Sequence, residues 1–441
     1  MIRTLINSWK VKELRRKLLF TIMIIVVFRI GSVIPVPFLD VNALAGLMGS
    51  LGENGAILNY LDTLSGGAFA QATIFAMSVS PYINASIVIQ LMTVALPYLE
   101  SLQKEGEEGR KKLTAITRYV TIIIALLQGT AFYFYLRSGG FQGVPIVKYT
   151  EGVEGMFVGV VIVLSFVAGA VFVMWLGEQV NVKGVGNGIS ILMFAGIVSR
   201  MPSLIAKLVG YTSLAISNPD NFFMFYVYVP LFIVLFMFLM WIIVSMNDAE
   251  RRIPIQYAQR TVGRKMYAGQ SSHIPLKVGI AGVMPVIFAS QILMIPNFVN
   301  FFAKPTGFWK VILDSLSVNG TGYTICYFFL IFVFAYFYVE ITYNPVEIAN
   351  NLRQSNAAIP GIRPGKPTAD YIAKVLSKVT FLGALLLAVV SLLPIGFTNL
   401  TGMHNLSMGG TSIIIMVGVA LETVKQLESQ LMMRHYKGFL N

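Results

Sequence analysis

Residues 63–99 read TLSGGAFAQATIFAMSVSPYINASIVIQLMTVALPYL, 37 positions without one charged side chain. A helix rises 1.5 Å per residue, so about 20 residues cross a hydrocarbon core of ~30 Å. The stretch is nearly twice that length, and Gly66-Gly67 interrupts it near its start. Paired glycines make a poor helix interior and a good hinge. The sequence therefore predicts two pieces: a short helix over about 56–65 that cannot span, and a full span from about 73 to 96. Backbone that fails to span is tolerated at membrane depth only where it is buried in protein or lines a cavity. A half-helix folded back into a bundle meets that rule; an external loop with one helical turn is the plainer alternative.

The rest of the chain repeats the pattern. Residues 155–177, 222–247, 278–303 and 379–421 are also free of charge. Over all 441 residues, 56% are apolar and only 12% charged, about half the charged fraction of a soluble domain. The fold class is all-α and polytopic. Ten spans are expected near 18–35, 73–96, 118–136, 155–176, 186–206, 223–246, 276–298, 322–342, 374–396 and 409–427.

Charge orients them. With ten spans both termini share a side. That side collects 26 of the 33 Lys and Arg residues, against six on the other. The asymmetry fits the positive-inside rule with both termini cytoplasmic. Two loops on that side are long, about 247–275 and 343–373. The N-terminus runs from Lys10, Lys12, Arg15, Arg16 and Lys17 straight into an apolar stretch with no small-residue cleavage site, as a permanent first helix would. Cys326 is the sole cysteine, so no disulfide forms within the chain.

Five spans fall in residues 1–215 and five in 216–441. Five is odd, so two related halves would lie inverted in the membrane, an arrangement that frames a path at their interface.

Motifs for chemistry are missing. Gly361-Ile-Arg-Pro-Gly365-Lys366-Pro lacks the spacing and the hydroxyl of a phosphate-binding loop, and no G-x-S-x-G or H-E-x-x-H occurs. No metal site, cofactor or catalytic constellation is expected. The spans also hold few ionisable groups. A secondary transporter with inverted repeats, the main competing class, places carboxylates or histidines at mid-membrane. A passive path driven from outside suits this chain better. Arg29 is the clear exception inside a span, and it needs acceptors such as backbone carbonyls or a carboxylate; a structural role is expected.

Eleven stretches, in order and over nearly the whole chain, resemble the SecY family of protein-conducting channels. They are Phe28-Arg-Ile-Gly31, Ser65-Gly-Gly67, Ser80-Pro-Tyr-Ile-Asn-Ala-Ser-Ile87, Glu105-Gly-Glu-Glu-Gly-Arg110, Trp175-Leu-Gly-Glu-Gln179, Gly184-Val-Gly-Asn-Gly-Ile-Ser190, Arg264-Lys-Met-Tyr267, Gln270-Ser-Ser-His-Ile-Pro-Leu-Lys277, Asn344-Pro345, Pro360-Gly-Ile-Arg-Pro-Gly365 and Gly409-Gly-Thr-Ser412.

The resemblance implies a clamshell of two inverted five-helix halves around an hourglass pore. It implies a waist ring of Val79, Ile83, Ile189, Met193, Ile287 and Ile415. Two pairs in that set are four residues apart and would stack on one helix face. Val79 and Met193 stand where isoleucine is more usual. A re-entrant plug would run from about 57 to 71, with Ile57, Leu58, Leu61, Leu64, Gly66 and Gly67. A lateral gate between spans 2 and 7 would carry Asn84, Ser86, Gln90, Ser290 and Gln291, open to signal sequences and lipid. The two long loops would dock the motor ATPase SecA and the ribosome, whose RNA phosphates suit Arg251, Arg252, Arg260, Arg264 and Lys265. Arg363 matches a family arginine needed for SecA-driven transport. The small subunits SecE and SecG, the bacterial plasma membrane and a nascent polypeptide as passenger complete what the family implies.

Overall fold

The computed structural model describes residues 2–50, 62, 65–138, 140–141, 144–149, 151–217, 223–257, 260–262, 265–267, 271–303, 307–316, 320–403 and 409–437. Helix dominates. In the first half, α1 is Ile2–Lys10, α2 Lys12–Gly31, α3 Val41–Ser50, α4 Ser80–Ala95, α5 Pro97–Lys104 and α6 Glu107–Ser138. A short hairpin, β1 Gly140–Phe141 and β2 Val144–Pro145, leads to α7 Gly152–Lys183, α8 Gly188–Val198 and α9 Met201–Ser217. The second half opens with α10 Phe225–Asp248. Strands β3 Glu250–Tyr257, β4 Arg260–Val262, β5 Lys265–Tyr267 and β6 Ser271–Lys277 follow. Then come α11 Met284–Ala303, α12 Phe308–Ser315, α13 Thr321–Thr342, α14 Pro345–Gln354, β7 Ala357–Ala358, α15 Lys366–Thr401 and α16 Gly410–Lys437.

Among the described residues seven helical runs are long and apolar enough to cross a membrane, and the bent pair α4–α5 supplies an eighth. The charged start of α2 and the short unbroken apolar part of α11, Met284–Pro296, account for the other two expected spans. Each expected span thus overlaps a helix, though the second and seventh begin later than expected, at Ser80 and Met284. The multi-pass, all-α reading stands.

Lipid-facing helices show why. α10 is apolar all round, and it leaves Val227, Leu231, Val234, Met237, Phe238 and Trp241 exposed while burying Phe232, Leu239 and Ile243. Hydrocarbon is the medium in which a helix can be apolar on every face.

Span 2 departs from expectation. The helix expected from about 73 begins only at Ser80, and residues 65–79 form a succession of turns. Ala72 and Ser78 take positive φ of 48°, which a continuous helix excludes. The backbone is satisfied from elsewhere: Val36 N donates to Ala72 O at 2.8 Å and Ile74 N to Ile34 O at 3.0 Å. Buried in protein and so bonded, an apolar segment at membrane depth need not be a helix. Of the expected plug, Asp62 is helical and 65–71 are turns; Ile57, Leu58, Leu61 and Leu64 lie outside the described residues.

At its other end α4 stops at Leu96, before Pro97, and α5 leaves at 101° to it. Leu96 is extended (φ −113°, ψ 114°), as a residue before proline prefers.

The two long loops fold as one unit. β3 and β6 pair antiparallel over seven positions, from Glu250 with Lys277 to Gln256 with Ser271. β7, from the second loop, joins the other edge of β3 through Gln256 with Ala358 and Tyr257 with Ala357. Ile253 and Ile255 on the inner face of β3 pack with Leu276, Val339, Ile359, Ile372 and Leu376. This apolar cluster seats the sheet on α13 and α15.

The main core spans both halves. Residues of α2, α4, α7, α8, α10, α11, α13, α15 and α16 share one buried cluster that holds all six residues of the expected ring. The halves meet where α16 packs on α8 and α9 on α10.

Candidate functional site

A cavity of about 770 Å³ opens at the end of the bundle that bears the two long loops. Its mouth is polar: Asn181, Asn187, Asn247, Lys277, Glu422, Lys425 and Gln426 line it. Its floor is aliphatic. Ile83 from α4, Ile189 and Met193 from α8, Ile287 from α11 and Ile415 from α16 all reach it. These five are 2–9% exposed, and Val79, at 1%, is buried in the same core without lining the cavity. The floor of this funnel, four isoleucines and a methionine, offers no directional bond to what reaches it. It selects by size and deformability, because dispersion contacts are non-directional.

Local sequence places each wall. Gly184-Val-Gly-Asn-Gly-Ile-Ser190 turns the chain from α7 into α8. Asn187 caps α8, its side chain accepting from Ser190 N at 3.3 Å, and Asn181 Oδ1 accepts from Gly188 N at 2.7 Å. A Cβ on Gly188 would stand 1.9 Å from Gly177 O, so only glycine lets the two helices meet here. That contact fixes the start of α8, from which Ile189 reaches the floor of the funnel. On α4, Ile83 N donates to Val79 O at 3.0 Å, stacking the pair as their spacing implies. Across the mouth, Lys425 Nζ bonds Asp248 Oδ1 at 2.8 Å and Asn247 O at 3.2 Å, tying α16 to the end of α10.

The residues expected at a lateral gate divide between two places. Asn84 and Gln291 line a second cavity, of about 380 Å³, between α4, α6 and α11. Gln291 Nε2 is buried there without a hydrogen-bond partner. Ser86 and Gln90 face the funnel instead, and Gln90 Nε2 donates to Ser86 Oγ at 3.3 Å along their own helix. Ser290 is buried and donates to Ile287 O at 2.8 Å. Gln128 on α6 also lines the second cavity; a lone glutamine in a span carried no pattern to single it out.

Arg29 finds the acceptors it needs. Its Nη1 donates to Ser199 Oγ at 3.0 Å and to Gly66 O at 3.3 Å. Beside it, buried Asp62 pairs with Arg200, an ion pair between residues 138 apart in sequence that the sequence reading did not contain.

On the loop platform Arg251 and Arg252 are exposed along β3, with Arg252 held to Glu250 at 2.6 Å. Arg260 and Lys265 sit on the paired strands β4 and β5, and Arg264 lies outside the described residues. Arg363 is exposed in a turn bracketed by Gly361 (φ 81°) and Gly365 (φ 107°), its carbonyl accepting from Thr368 Oγ1 at 2.9 Å.

Comparison with known proteins bears on the fold and the family. A SecY family model matches residues 73–424. The protein translocase subunit SecY of Streptomyces coelicolor is 42% identical over 444 aligned residues, covering all of both chains. That of Mycobacterium bovis is 40% identical over 454, again covering both. Among solved structures, a protein-conducting channel superposes with a TM-score of 0.58 at 16% identity, over 94% of this chain and 92% of the other. Sec61 from a canine ribosome-channel complex does so with a TM-score of 0.56 at 15% identity, over the same shares of the two chains. The likeness to these channels is one of fold. The full-length sequence identity and the match of 73–424 go further: this chain belongs to the SecY family.

Proposed function

We propose that the chain is a passive protein-conducting channel that passes unfolded secretory polypeptides across the bacterial plasma membrane and releases apolar segments sideways into lipid. One observation carries the reading. Five aliphatic side chains from four helices form the floor of a polar-mouthed funnel on the side where the loops are. Such a floor can close on an extended chain of any sequence and reseal as a dry gasket. Val79, buried beside it, completes the ring of six.

The chain supplies no catalytic step in this reading. Direction comes from a partner, either SecA with ATP or the translating ribosome, acting on the cytoplasmic side together with both termini. Exposed Arg251, Arg252 and Arg363 fit that docking, with Arg260, Arg264 and Lys265 further along the sequence of the first loop. Ribosomal RNA would be held by phosphate neutralisation. SecE and SecG are the expected small subunits. The plug spans about 57–71, and the lateral exit lies at the cavity that Asn84 and Gln291 line. Its polar groups hold the seam with bonds worth only ~1 kcal/mol each, weak enough to part reversibly.

Site-specific crosslinking tests the path. A photoreactive residue at Ile83 or Ile287, in the reconstituted complex with SecA and ATP, should capture a stalled secretory chain in a signal-sequence-dependent way. No crosslink, in a complex shown to be folded and to bind SecA, would exclude the waist and return the transporter reading.

A further inference from the structure

A third cavity, of about 760 Å³, lies between α6 and α7 at the end away from the two long loops. α7 begins beside it at Gly152 and ends near the mouth of the funnel, where Asn181 stands, so the two cavities sit at opposite ends of one helix. Tyr133 makes the floor. It is buried, and its hydroxyl donates to Gly155 O at 3.3 Å. A Cβ on Gly159 would stand 2.7 Å from the tyrosine ring, so the glycine lets that ring lie against α7. The walls are apolar and exposed: Leu126 and Phe134 on α6, Met156, Val160 and Leu164 on α7. One rim is charged. Arg137, in the last turn of α6, and Glu151, just before α7, both line it and both are exposed. The Glu151 side chain does not cap α7. Glu154, in the first turn of α7, is exposed outside the lining.

Length and charge together name an occupant. The lining runs from Leu126 to Arg137 and from Gly152 to Leu164, about 16–18 Å along each helix axis. That is roughly half of a hydrocarbon core of ~30 Å. Further in, the helices close on each other: a Cβ on Gly129 would touch Phe166 and Val167 at 3.7 Å. A spanning helix of another subunit needs a groove across the whole membrane, whereas an acyl chain of one leaflet needs half. We infer that this groove binds a single phospholipid whose zwitterionic head carries a primary amine, with one acyl chain over Tyr133, the phosphate on Arg137 and the ammonium on Glu151. A guanidinium meets a phosphate through paired N–H···O bonds. The carboxylate accepts from the ammonium and repels a head that carries only negative charge. Opposite charges on one rim thus select a head that bears both. The inference needs the membrane fold alone and stands apart from the channel reading.

The test is native mass spectrometry of the purified complex in detergent, titrated with phosphatidylethanolamine or phosphatidylglycerol of the same acyl chains. The parent should retain one phosphatidylethanolamine per chain at least tenfold more tightly than phosphatidylglycerol. Arg137→Gln should weaken retention of both lipids at least tenfold. Glu151→Gln should keep the lipid and lose the preference. Val160→Trp guards against charge variants that do not assemble. Its site is an exposed wall position, so the indole should fill the groove and expel the lipid while the core stays intact. Equal retention of the two lipids by the parent, or a preference that survives Glu151→Gln, overturns the headgroup assignment. Retention untouched by both Arg137→Gln and Val160→Trp overturns the site. So does a photoreactive residue at position 160 that captures a protein subunit instead of lipid.

Discussion

A Cβ at Gly188 would meet Gly177 O at 1.9 Å, so α7 and α8 touch backbone to backbone where the waist begins. Gly188→Ala should cost about 1–3 kcal/mol through overpacking, seen as a lower thermal midpoint of the detergent-solubilised complex. The ring residues add a second readout. They are buried in the shared core and also floor the funnel, so Ile83→Gly with Ile287→Gly should lower the thermal midpoint and, in complexes that still assemble, raise ion leak through the resting channel; an unchanged leak would remove these residues from the seal. The ring shows what was legible at this scale. Spacing paired Ile189 with Met193 and Val79 with Ile83, but membership of a ring came from the family motifs, since an aliphatic in a span is ordinary. Arg29 was legible as a problem and not as an answer. Its acceptor Ser199 is 170 positions away, and no local pattern links them.

α14 begins at Asn344, whose side chain accepts from Val346 N at 3.1 Å and Glu347 N at 3.4 Å, with Pro345 as its first residue. Asn344→Ala removes the cap and should cost about 1 kcal/mol, read as faster amide exchange in 345–354 with the spans unaffected. Arg363, one element further on, is exposed with its turn fixed by two glycines of positive φ. Arg363→Glu should abolish SecA-dependent export while the complex still assembles; normal export would move SecA docking elsewhere. Long helices were readable because apolar length is a strong signal. The start of α4 was not. Residues 73–79 are as apolar as a helix, and only their bonding to residues 34–36 explains why they are turns. Two-residue β7 is too short for any alternation to show, so the union of the two loops through β3 was invisible in the sequence.

Over the whole molecule the asymmetry of charge mirrors the asymmetry of shape. The basic loops and the polar mouth of the funnel share one end, and the apolar belt lies between the ends. On the proposed docking, ribosome binding through the exposed arginines of β3 should weaken steeply as salt rises, and Arg251→Glu with Arg252→Glu should flatten that dependence. A sedimentation assay over a salt series reads both. The division into five spans and five was countable from apolar blocks, whereas the packing of α16, from Gly410, on α8, from Gly188, had no trace in the pattern.

α4 has only 16 residues before its bend, about 24 Å of rise, and the straight apolar part of α11 is shorter still. A fluid bilayer of ~30 Å must thin against such walls or leave their ends wet. On the proposed lateral path, a passenger helix leaving beside Asn84 and Gln291 would enter a membrane thinner than its surroundings. Thickness becomes a control that acts without touching the protein. In vesicles of shorter acyl chain the release of marginal segments should quicken, and in thicker bilayers the same segments should be retained and carried across.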